Sequence, residues 1–170
     1  MDLATLTRQY DFTGRTVVIT GATGILGGEM ACALAGCGAN VALLDRNLEP
    51  GGRLLDLMGP DAASRAALVA VDVLDRGSLD RACASVRERY GRIDALVNAA
   101  GGNKPEATAG PDRSFFDLPA DALRWVFDLN ILGTILPSQV FGRVMAEQGD
   151  GVVLNVSSMT AFRPLTRIAA

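Results

Sequence analysis

The sequence predicts an α/β fold built on a doubly wound parallel sheet in three layers. Two observations support this prediction. Short apolar runs rich in β-branched residues alternate with longer segments of helical spacing, and a glycine-rich turn joins the first apolar run to the first helical segment. Such alternation is typical of βαβ units, in which each helix returns the chain to a parallel neighbour by a right-handed crossover.

Each element has its own sequence signal. The strand candidates are the apolar runs at residues 16–20, 40–44, 67–71, 95–98 and 152–156. Helical spacing predicts helices over 26–35, 50–58 and 78–90, the first ended by Gly36. A longer helical pattern covers 119–148, and Pro137 within it predicts a kink because proline lacks the N–H of a helical hydrogen bond.

Residues 101–117 are rich in Gly, Pro, Asn and charge, and they predict a loop. This loop is longer than a structural connection needs, so substrate contacts are expected there. A plain surface insertion is the alternative interpretation.

Composition excludes several functions. The 170 residues contain no His, which removes Ser-His-Asp relays and His-based metal sites, and the three Cys form no metal-binding pattern. The net charge of -3 disfavours nucleic acid and anionic membranes as partners. With no apolar run of membrane-spanning length and no signal peptide, the sequence predicts a cytoplasmic protein of one domain, without a metal.

A glycine turn, residues 20–28, lies between the first strand and the first helix. It contains Gly21, Gly24 and Gly27, with Thr23 and Leu26 between them. Glycines at this position allow the backbone to approach a pyrophosphate, whose charge is stabilised by free N–H groups at the helix start. We therefore expect these five residues to contact a dinucleotide cofactor.

The second strand is followed by an acidic residue, Asp45, 18 residues beyond Gly27. A carboxylate there can accept both ribose hydroxyls of an adenosine and would repel a 2′-phosphate, which favours NAD over NADP. Arg46 weakens this preference because a guanidinium can bind a 2′-phosphate. The alternative is a structural glycine-rich turn followed by a solvated Asp.

Together with four later motifs, these residues resemble the short-chain dehydrogenases/reductases. The later motifs are Asp72-Val73, similar to the adenine contact of that family; Asn98-Ala99-Ala100-Gly101, similar to its Asn-Ala-Gly segment; Asn130, similar to its active-site Asn; and Asn155-Val156-Ser157-Ser158, similar to its catalytic-serine motif. The resemblance covers essentially the whole chain. It implies a single NAD(P)-binding domain of the Rossmann type over residues 1–170.

The resemblance also implies a reaction. In this family a Tyr four residues before a Lys protonates the substrate carbonyl while the nicotinamide delivers hydride. A Ser binds the reacting oxygen, and an Asn organises water near the Lys. The matching residues are Ser158, with Ser157 as the alternative, and Asn130. The implied substrate is a small carbonyl or alcohol compound, and the full-length protein is expected to be a homo-oligomer.

The expected Tyr and Lys are missing from the chain. Neither Tyr10 nor Tyr90 is followed by Lys four places on, and the single lysine, Lys104, lies in the predicted loop. We interpret the chain as a C-terminally truncated reductase that lacks the last strands of its sheet, is inactive alone, and exposes an apolar strand edge that lowers its solubility. The alternative is a short nucleotide-binding module without catalysis.

Two details bear on the substrate. The GxxGxxG spacing is more like epimerase-type members of the family, which leaves an epimerase or dehydratase as a further alternative. Residues 101–105, 115–118, 157–162 and 164–166 instead resemble the fructuronate reductase (D-mannonate oxidoreductase) type. A sugar acid needs a cation or amide for its carboxylate, and the candidates, each of which could instead face solvent, are Asn103, Lys104, Arg163 and Arg167.

Overall fold

The computed structural model describes residues 2–159, 162 and 166–169. Its sheet contains five parallel strands in the order β3-β2-β1-β4-β5. The strands are β1 (Thr16–Thr20), β2 (Asn40–Asp45), β3 (Ala66–Ala70), β4 (Ala95–Asn98) and β5 (Val152–Asn155). This order confirms the predicted doubly wound parallel sheet.

Six α-helices accompany these strands in the described residues. They are α1 (Leu3–Gln9), α2 (Ile25–Gly36), α3 (Gly51–Ser64), α4 (Arg76–Tyr90), α5 (Ala120–Phe127) and α6 (Gly133–Gln148). Helix α1 precedes the sheet, buries no residue, and carried no signal in the sequence analysis. Helix α3 extends beyond the expected end at residue 58, with a break at Gly59, whose φ is 75°.

The two faces of the sheet form two separate cores. Alternate strand residues point to opposite faces. Val17 and Ile19 of β1 therefore pack with Ala31 of α2 and Leu54 of α3, whereas Val18 packs on the other face with Phe141 of α6. Helices on both faces give the three layers expected from the sequence.

The long helix expected over 119–148 is divided. Between α5 and α6, residues Asp128–Leu132 form a π-helical turn, and the N–H of Gly133 donates to the carbonyl of Asp128, five residues earlier. Pro137 lies buried inside α6. The departure from α-helical geometry therefore begins before the proline, at the turn that contains Asn130.

The order of the strands locates a cleft. The chain leaves β1 for β2 on one side, whereas β4 lies on the other side of β1. Such a reversal of winding opens a crevice at the carboxyl ends of the strands, where α/β proteins bind their ligands. Among the described residues, no helix is long and apolar enough to cross a membrane.

Candidate active site

The glycine turn lies against the segment that follows β4. Gly21 has a φ of 65°, and a Cβ added there would lie 2.8 Å from the Cα and N of Ala100 and from the carbonyl oxygen of Ala99. A Cβ at Gly27 would overlap the carbonyl oxygen of Gly21. Side chains are therefore excluded at both positions by the close approach of three backbone segments.

The start of α2 is suited to an anion. Gly24 occupies the N-cap position, and no side chain caps the helix. Ile25 and Leu26 in the first turn are exposed, at 87% and 64%. N–H groups of an uncapped first turn carry partial positive charge, so the pyrophosphate of a dinucleotide fits this position.

Asp45 lies directly beside the glycine turn. Its Oδ2 accepts the N–H of Thr23 at 3.2 Å, and its Oδ1 accepts the N–H of Asn47 at 3.1 Å. Thr23 Oγ1 donates to the carbonyl of Asn47 at 3.1 Å. The carboxylate is partly buried and the neighbouring Arg46 is exposed. Asp45 and Thr23, both expected to contact the cofactor, are thus adjacent in space.

Asp72 and Val73 follow β3 at the same edge of the sheet. The Oδ1 of Asp72 accepts the N–H of Leu74 at 2.9 Å, which stabilises the turn out of the strand. Val73 is buried, and its Cγ2 lies 3.0 Å from the position of a Cβ added at Gly133. Val73 therefore packs against the start of α6.

The segment after β4 is fixed by buried polar groups. Thr20, at the end of β1, accepts the N–H groups of Ala99 and Ala100 through its Oγ1, each at 3.2 Å. The Nδ2 of Asn98 donates to Ser138 Oγ at 2.9 Å and to Asn155 Oδ1 at 2.8 Å. Asn98 therefore connects β4 to α6 and to β5, the strand that leads to the serines.

Asn130 connects the π-helical turn to the same segment. Its Oδ1 accepts the N–H of Gly102 at 3.0 Å, and its Nδ2 donates to the carbonyls of Gly102 and Val126, each at 2.8 Å. Its own carbonyl accepts Thr134 Oγ1 at 3.0 Å. A Cβ at Gly101 would lie 2.8 Å from Asn130 Oδ1. The carboxamide of Asn130 therefore fixes the backbone at Gly102 and Val126 by hydrogen bonds.

Ser157 and Ser158 leave the carboxyl end of β5 and are exposed. The preceding Val156 donates its N–H to the carbonyl of Asn98 at 3.0 Å, so the serine segment starts beside the segment after β4. The tyrosines lie elsewhere. Tyr90 donates its hydroxyl to the carbonyl of Arg65, just before β3, and burial raises the pKa of its phenol.

Tyr10 follows α1 and is 60% exposed. Tyr90 lies near the amino ends of the strands, and the glycine turn lies at their carboxyl ends. Neither tyrosine lies beside Ser158, so the candidate site contains no pair of Tyr and Lys of the kind that the family resemblance implies.

Three of the four candidates for carboxylate recognition lie in one region. Asn103 Nδ2 donates to Thr108 Oγ1 at 2.9 Å, and Ala109, the next residue, donates its N–H to the carbonyl of Arg167 at 2.8 Å. Lys104 Nζ lies 4.5 Å from the centre of the Trp125 ring. The fourth candidate, Arg163, lies outside the described residues.

Three residues that make hydrogen bonds in the candidate site, Thr20, Asn47 and Ser138, were not predicted from the sequence to have a role there. Thr20 could have been recognised because it is a polar residue at the end of a buried strand. The hydrogen bonds of Asn47 and Ser138 depend on distant partners and had no signal in the sequence. In the part of the chain that the structure describes, no group of three or more acidic, Cys or His residues could hold a metal.

The chain was compared with known families, curated proteins and solved structures. The short chain dehydrogenase family matches residues 15–170. The sequence is 39% identical over 168 residues to the uncharacterized oxidoreductase UxuB of Bacillus subtilis (strain 168), covering 94% of this chain and 60% of that protein. It is 33% identical over 158 residues to D-threitol dehydrogenase of Mycolicibacterium smegmatis, covering 92% and 58%.

Solved structures of an oxidoreductase and a dehydrogenase also resemble this chain. The fold superimposes with a TM-score of 0.84 and 34% identity on a protein of Haemophilus influenza provisionally assigned as a D-mannonate oxidoreductase, with bound NAD, covering 96% of this chain and 61% of that one. An NAD+-bound xylitol dehydrogenase gives a TM-score of 0.83 at 28% identity, covering 93% and 58%. The chain therefore spans about three-fifths of the length of these relatives.

Proposed function

The chain belongs to the short-chain dehydrogenase family, and from that premise we propose that it is the cofactor-binding part of an NAD-dependent oxidoreductase. The substrate is a small carbonyl or alcohol compound, and the complete enzyme is a cytoplasmic homo-oligomer. The observation that carries the proposal is the contact between Asp45 and the glycine turn, because it combines a pyrophosphate site with an acceptor for ribose hydroxyls.

Asp45 favours NAD over NADP on electrostatic grounds. A 2′-phosphate on the adenosine ribose would lie against its carboxylate and be repelled. Arg46 is exposed and forms none of the ion pairs found among the described residues, so its guanidinium can meet such a phosphate and weakens the preference that Asp45 creates. Two of the structural relatives contain bound NAD, which agrees with this preference.

When bound, a nicotinamide cofactor supplies or accepts the hydride. The residues of this chain position the reaction. The uncapped start of α2 binds the pyrophosphate, and Val73 with Asp72 lies where the adenine would be bound. Ser158 donates a hydrogen bond to the reacting oxygen, and Asn130 acts as a positioning residue because its carboxamide holds Gly102.

We propose a sugar acid, of the fructuronate and mannonate class, as the substrate. Support comes from the residue patterns around 101–105 and 157–162 and from the D-mannonate oxidoreductase assignment of the Haemophilus relative. The matched relatives are named oxidoreductases and dehydrogenases, which favours hydride transfer over the epimerase alternative despite the GxxGxxG spacing.

One observation favours a second candidate function. Both tyrosines lie away from Ser158, and the single lysine rests on Trp125, so these 170 residues hold no proton donor of the family's kind. A nucleotide-binding module without catalysis would have this arrangement. Both candidates require NAD binding, and they differ in turnover.

The test compares the 170-residue chain with the product of the complete reading frame of its gene. NADH oxidation is followed by absorbance with D-fructuronate. We expect no turnover by the 170-residue chain and turnover by a longer product that contains Tyr-x-x-x-Lys. Turnover by the 170-residue chain would overturn its expected inactivity. A reading frame that stops at codon 170, with NADH bound and unchanged, would establish the module instead.

A further inference from the structure

The loop after β4 and the segment 166–169 lie against each other. Ile168 pairs in antiparallel fashion with Thr108, and Ala109 donates its N–H to the carbonyl of Arg167 at 2.8 Å. Thr108 Oγ1 also donates to the carbonyl of Lys104 at 3.1 Å. Two parts of the chain that are about 60 residues apart in sequence are therefore held together by backbone hydrogen bonds.

A cavity of about 290 Å³ lies between these two segments. It is lined by Ala109, Phe115, Arg167, Ile168 and Ala169. Its volume is near the lower end of small-molecule sites, about 300 Å³. Among the described residues the lining is apolar except for one cation, so the cavity suits a ligand with one anionic end and a short carbon chain.

Arg167 is the only non-glycine residue with a positive φ, 73°, among the described residues. L-residues rarely adopt this conformation, and such outliers concentrate where a ligand is held. None of the ion pairs in the described part of the chain includes Arg167. Lys104, by contrast, has its ammonium over the ring of Trp125. Arg167, which is exposed, is therefore the one cation among the described residues that line this cavity.

We propose that Arg167 binds the carboxylate of an open-chain sugar acid, with the carbon chain of the acid packed against Phe115. This inference rests on the proposed function and specifies its substrate class. A guanidinium presents parallel N–H groups to both carboxylate oxygens, a geometry that an uncharged polyol cannot use. Arg167 thus selects acids over neutral polyols of the same length.

The experiment measures binding of D-mannonate and D-mannitol to the NAD+-loaded 170-residue chain by calorimetry. The two probes have six carbons, and only D-mannonate carries a carboxylate. The variant is Arg167→Asn, since Asn tolerates the left-handed conformation while removing the charge. The control is Arg143→Gln, which removes an exposed charge from α6.

We expect the wild-type chain to prefer D-mannonate by at least ~10-fold, and Arg167→Asn to weaken D-mannonate binding about 10- to 100-fold, as the loss of charge-assisted hydrogen bonds predicts. Arg143→Gln should match the wild type. Equal D-mannonate affinity in Arg167→Asn and wild type, or no D-mannonate binding by NAD+-loaded wild type, would overturn the inference and leave NAD binding standing. Failure of the wild type to bind NAD+ would overturn the proposed function as well.

Discussion

The side chain of Asn130 holds the backbone of Gly102 at two points. Its Oδ1 accepts the Gly102 N–H at 3.0 Å, and its Nδ2 donates to the Gly102 carbonyl at 2.8 Å. This pairing joins the π-helical turn between α5 and α6 to the loop that follows β4. Asn130, which resembles the family's active-site Asn, therefore has a structural role in this chain that the sequence pattern did not indicate.

The pairing predicts the effect of Asn130→Asp. The carboxylate can still accept the Gly102 N–H, but it loses the donated bonds to the carbonyls of Gly102 and Val126. We expect the free energy of unfolding to fall by about 1–3 kcal/mol. The Gly102 amide should also exchange faster with solvent. Urea denaturation and hydrogen exchange measure the two effects.

The control for this variant is Asn40→Asp, at the start of β2. It introduces the same charge, and the Asn40 side chain makes none of the hydrogen bonds found among the described residues. Equal losses in the two variants would show that charge, and not the pairing with Gly102, decides the effect.

Gly21→Ala tests the close approach of the glycine turn to residues 99–100. Gly21 and Gly14 both have positive φ, 65° and 77°, but a Cβ at Gly14 meets nothing within 4 Å. Gly14→Ala should therefore cost only the backbone strain, about 1 kcal/mol. Gly21→Ala should cost more and also weaken NADH binding. Matching urea midpoints for the two variants would argue against the close approach.

Asp94 makes stability depend on pH. Its side chain is 9% exposed, and it accepts hydrogen bonds from Arg92, Arg15 and the N–H of Thr16. Burial alone would raise the pKa of Asp94, but the hydrogen bonds from Arg92, Thr16 and Arg15 outweigh it and lower the pKa below its ordinary value of 3.8. Folding therefore favours the carboxylate.

Because folding lowers the pKa of Asp94, its carboxylate stabilises the fold at pH values above the ordinary pKa of this group. This stability is lost as the pH falls through the lower pKa of the folded state. We expect Asp94→Asn to reduce the free energy of unfolding by about 1–3 kcal/mol at neutral pH. The difference from wild type should shrink below about pH 4. The control is Asp150→Asn, since Asp150 is 70% exposed and lies 3.4 Å from Arg15. A difference that persisted at low pH would contradict the assignment.

The exposure of the outer strand, β5, leads us to expect self-association. Val152, Val153 and Leu154 of β5 are 62%, 42% and 49% exposed, and exposed apolar strands pair with other chains. We expect concentration-dependent association in sedimentation velocity, reduced by Val152→Lys. A monomer at all concentrations in the wild type would contradict this expectation.

The strands were predictable because a parallel sheet covered on both faces needs continuous apolar runs. Residues 16–20 and 95–98 match β1 and β4 to the residue, and residues 67–71 match β3 with a shift of one. The N-terminal helix could not be predicted because it buries nothing, so no apolar stripe marks it. The π-helical turn was also missed, since the apolar spacing continues across it.

The close backbone approaches at Gly21 and Gly27 were predictable because a single local motif indicated them. Contacts between residues that are distant in sequence were not predictable. The contacts of Asn98 with Ser138 and of Ala109 with Arg167 span 40 and 58 residues of sequence and arise only after the sheet has formed. The sequence named Arg167 as one of four candidates, and its place beside a cavity distinguishes it from Lys104.

The most direct test of NAD binding at Asp45 and the glycine turn is a fluorescence titration of the 170-residue chain with NADH and NADPH, in the wild type and in Asp45→Ala. The control is Asp56→Ala, which removes an exposed carboxylate from α3. We expect wild type and Asp56→Ala to bind NADH more tightly than NADPH, and Asp45→Ala to lose at least ~10-fold in NADH affinity with a smaller change for NADPH, as loss of hydrogen bonds to a charged group predicts. No saturable NADH binding by the folded wild type, or equal losses for both cofactors in Asp45→Ala, would contradict it.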